Sequence, residues 1–215
     1  MGKIYMYVVD RDFGFAPNPF HGYCTLATCK PVIRKKAEVE DWVIGMGGAR
    51  LKATGRCVFA MSVTEKLTFN EYWLSPRFLD KRPVRNGSQK MMVGDNIYYF
   101  DEATGEWQQA DSHHSNADGT VDQYNLVRDT RADNVLISRH FFYFGREAPV
   151  IPKALLNAIG YKNRRAHWVF EYTEAGRIVE WLQNSFRGAL NQVSGDPFNF
   201  DESQKRYSAG TNRVT

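Results

Sequence analysis

The chain has 215 residues, 43% hydrophobic and 14% aromatic, enough for one large domain with its own core and with aromatic surface to spare. Its formal net charge of +4 suits a nucleotide or nucleic-acid ligand without requiring one. No apolar run approaches the roughly 20 residues of a membrane span, the first residues read as a strand and not a signal peptide, and Cys24, Cys29 and Cys57 form no paired framework, which predicts a reducing, cytoplasmic setting.

Residues 4–10 (IYMYVVD) predict a central first strand. Residues 14–31 (GFAPNPFHGYCTLATCKP) follow, with three prolines, two glycines and three aromatic residues in a segment stiff enough to hold a shaped surface. Within it, residues 24–30 (CTLATCK) predict a second strand stopped by Pro31, and residues 33–36 a basic helical turn. Residues 41–47 predict a third strand and residues 56–67 the longest one. Thr68, with Glu71 three positions on, opens a helix that ends near Pro76. Residues 83–95 read as a loop, 96–100 as a strand, 101–105 (DEATG) as a turn, and 108–123 as a mobile surface loop. Residues 135–145 (VLISRHFFYFG) predict a strand with a break near Ser138; a helical turn at 155–160, a short strand at 168–172 and an amphipathic helix at 175–186 complete the pattern. The expected fold is α+β, a curved mixed β-sheet or small barrel with inserted helices, in one domain over residues 1–194 with a polar tail at 195–215.

Several residues are candidates for chemistry. Phe15, Phe20, His21 and Tyr23 either wall a pocket where rings stack on a base and Asn18 bonds its edge, or pack onto the sheet. Asp10, at a strand end, is a general base, a metal ligand or a turn cap, and Asp12 offers the same choice. Cys24 is a nucleophile beside His140 or His21, or, like Cys29, a small buried hydrophobe. Arg139 and His140 interrupt an apolar strand and need partners; a pocket-facing His140 would serve as an acid or base, and a structural one would be satisfied in place. Arg128 and Asp129 either position a phosphate and a base or form a surface pair. His113 and His114 sit in a polar loop with no third ligand spaced to join them, so no metal is expected. Basic clusters at Arg34 to Lys36, at Lys81, Arg82 and Arg85, and at Lys162, Arg164 and Arg165 have aromatic neighbours such as Trp42, and would form a phosphate track if they converge. No Walker loop, dinucleotide fingerprint, GxSxG or HExxH occurs, and the sequence leaves any cofactor or cosubstrate unknown.

The blocks YVVDRDFGFAPNPFHGYCTLATCKPVIRKKAEVEDWVIGMGG, FAMSVTEKLTFNEYW, NLVRDT and SRHFFYFG resemble the bacterial and phage nucleotide modification associated domain, type two, over residues 4–145. Members of that family are encoded near DNA base hypermodification and phage-conflict genes. The resemblance therefore implies a role in a phage or phage-defence pathway, acting on or recognising a modified nucleobase. It carries over Asp10, Asn18, Tyr23, Cys24, Lys30, Arg34, Asp129, Arg139 and His140, none with an assigned catalytic role. The order of elements is also similar to PUA-like barrels, which bind unusual bases in aromatic pockets. Three functions follow as expectations: an enzyme acting on a nucleotide or DNA base with Asp10, Cys24 and His140 as its chemistry; a non-catalytic reader of modified bases; or a docking partner of a modification enzyme.

Overall fold

A computed structural model describes residues 2–164 and 166–215. In chain order its elements are β1 (Lys3–Val9), β2 (Cys24–Leu26), α1 (Pro31–Lys36), β3 (Trp42–Gly47), β4 (Cys57–Ser62), β5 (Glu65–Leu67), α2 (Phe69–Leu74), α3 (Gln89–Met92), β6 (Tyr98–Asp101) and β7 (Glu106–Gln109). They continue with α4 (Gln123–Asp129), β8 (Val135–Ser138), β9 (His140–Tyr143), α5 (Lys153–Ala158), β10 (His167–Glu171), α6 (Tyr172–Ser185), β11 (Tyr207–Ser208) and β12 (Arg213–Val214). The fold is α+β, as expected.

The main sheet has the order β10-β1-β3-β4-β9. Only β1 and β3 run parallel, joined by a crossover that contains α1. Strand β3 and most of β1 and β4 are buried on both faces, which is why these segments read as nearly continuous apolar runs. A second sheet, β2-β8-β5, lies beside the first. The two are linked because two long segments cross from one to the other. Residues 57–67 leave β4 at Ser62 and resume as β5 at Glu65, and residues 135–143 make the matching step between β8 and β9 at Arg139. The Thr64 hydroxyl stitches this corner, accepting from the Arg139 amide at 3.0 Å. The single long strand expected over 56–67 is thus two strands in two sheets, and the break expected near Ser138 is where the chain changes sheet. The sheets curve but do not close into a barrel.

Each sheet supports its own core. One holds Ile4, Met6, Ile44, Phe59, Phe142 and Val179 under α6; the other holds Phe15, Phe20, Phe69, Tyr72, Tyr98 and Ile137. Helix α2 begins as expected: Thr68 and Glu71 form a reciprocal cap, with Glu71 N–H donating to the Thr68 hydroxyl at 3.2 Å and Thr68 N–H donating to the Glu71 carboxylate at 2.7 Å. Such a cap is worth about 1 kcal/mol. Two expectations are overturned. Residues 108–123 contain the end of the β6–β7 hairpin and a buried stretch from Ser112 to Ser115, so this is not a surface loop. Residues 195–215 are packed: Phe200 and Ser203 are buried, and Tyr207 N–H donates to the His113 carbonyl at 2.7 Å. Among the described residues, no helix is long and apolar enough to cross a membrane.

Candidate active site

Strands β1 and β3 end side by side at Val9 and Gly47, and a cleft opens just beyond those carboxyl ends, where parallel strands commonly present ligand sites. A side chain on Gly48 would crowd the Asp10 carboxylate and the Val9 carbonyl at the mouth of this cleft. The cleft has two arms. The first, a hollow of about 180 Å³, is lined by Tyr7, Asp10, Arg11, Phe13, Phe15, Cys29, Lys30, His114, Arg128 and Tyr207, among others. The second, about 270 Å³, shares Val8, Asp10 and Lys30 with the first and adds Ala49, Asn163, Arg164 and Ala166.

From the wall of the first arm inward three groups stand in line: half-buried Cys29, then buried His114 and Asp129. Cys29 Sγ lies 3.8 Å from His114 Nε2. His114 Nδ1 lies 2.9 Å from Asp129 Oδ2. Asp129 Oδ1 returns to the turn that holds the thiol, accepting from the Cys29 amide at 2.9 Å. That turn is sharp. Cys29 and Lys30 both have positive φ, 57° and 39°, between the end of β2 and the start of α1. Non-glycine residues rarely adopt this conformation, and it persists only where surrounding contacts hold it. The second strand therefore stops at Leu26, not at Lys30 as the sequence suggested.

Arg34 supplies much of that hold. Its buried guanidinium donates to the carbonyls of Cys29 (2.8 Å), Ala132 (2.7 Å), Asn134 (2.6 Å) and Asp129 (2.5 Å), which locks the thiol turn to the end of α4. The Tyr98 hydroxyl donates to Asp129 Oδ2 at 3.1 Å. The His114 carbonyl accepts from Asn125 at 2.8 Å and Gln109 at 3.1 Å, and the Phe15 ring packs against the imidazole at 4.7 Å between centroids.

The electrostatics follow from this geometry. Burial alone would push the Cys29 thiol up, but the adjacent His114 charge and hydrogen bond bring it below its ordinary value. Burial alone would lower His114, yet Cys29 and Asp129 raise it to about 9. Burial opposes the Asp129 carboxylate too, and His114 outweighs it, so Asp129 stays ionised. Near neutral pH His114 is an imidazolium and Asp129 a carboxylate, and the charge and hydrogen bond of His114 favour the thiolate form of Cys29. The neighbouring His113 is the opposite case: buried against Phe13 and pinned to the Lys205 carbonyl at 2.7 Å, it drops to about 3 and stays neutral.

His114 thus acquires two partners that its own loop does not contain, against the expectation of no third ligand near the tandem histidines. All three donors lie within 4.8 Å of one another, close enough to suggest a metal. The arrangement fits one poorly. Cys29 faces one imidazole nitrogen and Asp129 the other, and those nitrogens point in different directions, so the groups form a chain and not a converging set.

Cations rim the hollow. Lys30 Nζ sits 4.2 Å from the Tyr7 ring centroid, and Arg11 and Arg128 flank Tyr207 at 5.3 Å and 6.0 Å. Tyr7 itself is 2% exposed, and its hydroxyl has no hydrogen-bond partner among the described residues. An unpartnered buried hydroxyl costs about 1–3 kcal/mol.

Of the residues singled out in the sequence, Asp10, Phe15, Cys29, Lys30, His113, His114 and Arg128 line the first arm, and Asp129 backs it through His114. The others lie elsewhere. Cys24 is fully buried, its thiol pushed up by burial and facing the Met61 sulfur, and it lines neither arm of the cleft. His140, half-buried, meets Gln183 at 3.2 Å and the edge of buried Trp42. Asn18 is a buried scaffold, donating to the Val93 carbonyl and accepting from Lys81. Phe20 stacks on Phe200 in the core, and His21 is exposed in a turn. Arg139 donates to the Tyr23 hydroxyl at 2.9 Å on the surface. Arg34 binds backbone and not ligand. Asp12 anchors the later chain, accepting from the Tyr143 hydroxyl at 2.6 Å and the Phe198 amide at 3.2 Å. The three basic clusters do not converge: Arg34 and Lys81 are buried, Arg164 lines the second arm, and Arg165 lies outside the described residues. What sequence reasoning missed was Cys29 and His114. The available signal was a cysteine one residue before a Lys-Pro helix start, where strand geometry fails.

No curated protein and no solved structure matches the chain. A family described as nucleotide modification associated domain 2 matches residues 1–204. With nearly the whole chain matched, the protein belongs to the nucleotide modification associated domain 2 family.

Proposed function

We propose that this protein is a thiol enzyme that acts on a nucleotide, or on a base within DNA, in a nucleotide modification pathway of the phage or phage-defence kind. The observation that carries this reading is the Cys29–His114–Asp129 chain set into the wall of a cleft that also presents rings and cations. Phe13, Phe15 and Tyr207 line the hollow with ring surface for a base, and Arg11, Lys30 and Arg128 offer charge to a phosphate. Asp10, at the rim shared by the two arms, is placed to accept from a base or sugar donor. Membership of a family associated with nucleotide modification supports the same ligand class.

The test is calorimetric titration of deoxynucleoside monophosphates and short single-stranded DNA into Cys29→Ser protein, where chemistry is blocked and the cleft is intact. Binding should weaken in Arg128→Ala and Lys30→Ala and fall as salt rises. Binding by neither ligand overturns the nucleotide assignment. Binding without any Cys29-dependent conversion of the ligand leaves the protein a reader of modified bases and overturns the enzyme assignment.

A further inference from the structure

A thiolate paired with an imidazolium can attack phosphorus, an unsaturated ring carbon or an acyl carbon, and the geometry separates these. Attack on phosphorus calls for backbone amides around the nucleophile turned toward the phosphate oxygens. Here the Cys29 amide is turned away, donating to Asp129 at 2.9 Å. Addition to a ring requires a proton at an atom beyond the one attacked. His114 Nε2 instead sits 3.8 Å from the sulfur itself, in reach of a leaving atom bonded to the carbon that the sulfur attacks. Bond making and bond breaking at one carbon is the geometry of acyl transfer.

Acyl transfer also needs a donor for the oxyanion of the tetrahedral intermediate. Tyr7 meets that need. Its buried hydroxyl lacks a partner among the described residues, and the residue lines the hollow that Cys29 lines. Burial, reinforced by the Cys29 charge, keeps the phenol protonated well above its ordinary range, so it is a neutral donor.

We propose that the protein transfers an acyl group carried on a nucleobase amine through a thioester on Cys29, with the Tyr7 hydroxyl donating to the oxyanion. The substrate class rests on the nucleotide reading above. Cys29 Sγ attacks the amide carbon, and the carbonyl π pair moves onto oxygen, where Tyr7 holds it. Collapse breaks the C–N bond, and the departing nitrogen takes the Nε2 proton of His114. Water then attacks the thioester, giving a proton to neutral His114 and releasing the carboxylic acid, the thiolate and the imidazolium. Each cycle consumes one water and involves no oxidation or reduction.

The probe is N-acetylated deoxycytidine monophosphate, incubated with the protein, quenched in acid and examined by intact mass and peptide mapping, with deoxycytidine monophosphate release followed in parallel. The expected result is one acetyl group on Cys29, release of the free nucleotide, and neither in Cys29→Ser. Tyr7→Phe should melt no lower than the parent, since it removes a hydroxyl without partners, yet acylate about 100-fold more slowly at unchanged KM. A Tyr7→Phe protein that acylates at the parental rate overturns the role of Tyr7. A parent protein that binds the probe by calorimetry but neither carries acetyl on Cys29 nor releases free nucleotide overturns acyl transfer and leaves the nucleotide assignment standing. Absence of calorimetric binding defeats the nucleotide assignment instead.

Discussion

Two buried polar clusters lie on either side of the segment that joins β1 to α1, and they put similar groups to different uses. Around Lys81 everything is closed: its ammonium donates to the Asn18 carbonyl, the Asn18 side chain and the Tyr23 carbonyl at 2.7–2.9 Å, and nearby Asp95 accepts from Thr25 and Tyr72 at 2.7 and 2.8 Å. Each charge is met by neutral partners, and neither Lys81 nor Asp95 lines an arm of the cleft. Around Cys29 the partners form a chain that ends at a thiol on the wall of a cleft. Burial acts on both clusters, lowering Lys81 to about 8 and raising Asp95 to about 6, each toward neutrality. At Cys29 and His114 the mutual charge outweighs burial, drawing the thiol below its ordinary value and raising His114 to about 9. A buried polar cluster is a scaffold when its hydrogen bonds close on themselves, and a candidate for chemistry when one reactive atom is left facing space.

The largest expected effect is on the closed cluster. Lys81→Ala strands the Asn18 and Tyr23 acceptors in the core and should cost about 3–5 kcal/mol in urea unfolding, while alkylation of Cys29 per folded molecule stays unchanged. An equal loss of thiol reactivity would erase the distinction between the clusters.

His114→Gln should do the reverse. Removing the imidazolium takes away what holds the Cys29 thiol down, so the acid limb of its alkylation profile should move to higher pH. In the parent, Cys29 and Asp129 raise His114 from its ordinary 6.5 to about 9, so its charge is held through neutral pH and lost as pH climbs through 9. Conversion of a substrate should therefore fall on the alkaline side near pH 9 and on the acid side where Cys29 takes its proton, below the ordinary thiol value. Asp129, Arg34, Arg128, Lys30, His113, Tyr7, Tyr98 and Tyr207 also surround this pair, and Asp129→Asn should shift the alkaline limb to lower pH. An unmoved profile in both variants would show that the thiol is not coupled to the histidine.

A smaller effect is expected at Cys24. Cys24→Ala removes a buried sulfur packed on Met61 and should cost about 1–2 kcal/mol with no change in thiol chemistry. Lost activity without lost stability would reinstate Cys24 as the nucleophile.

Much of the fold was legible because its signals are local. The apolar runs of β1 and β3, the Thr68–Glu71 cap and the turn at 101–105 each depend on residues within a few positions of one another. The sheet change at 63–64 was hidden because an apolar run does not record which sheet it joins. At the site, Asp10, Phe15 and Lys30 were visible from a stiff, aromatic segment at a strand end. Cys29 and His114 were not, because their contact joins residues 85 apart and the Asp129 bond to the Cys29 amide spans 100. The positive φ of Cys29 turned a supposed strand residue toward the cleft, and sequence periodicity cannot report such a turn.

The most direct measurement is site-resolved alkylation of the native protein at neutral pH, with all three cysteines mapped in the presence and absence of nucleotide. The account predicts rapid modification of Cys29 alone, slowed when deoxynucleoside monophosphate fills the cleft, with Cys24 and Cys57 silent until unfolding. Modification of Cys29 no faster than that of the two core thiols would contradict it.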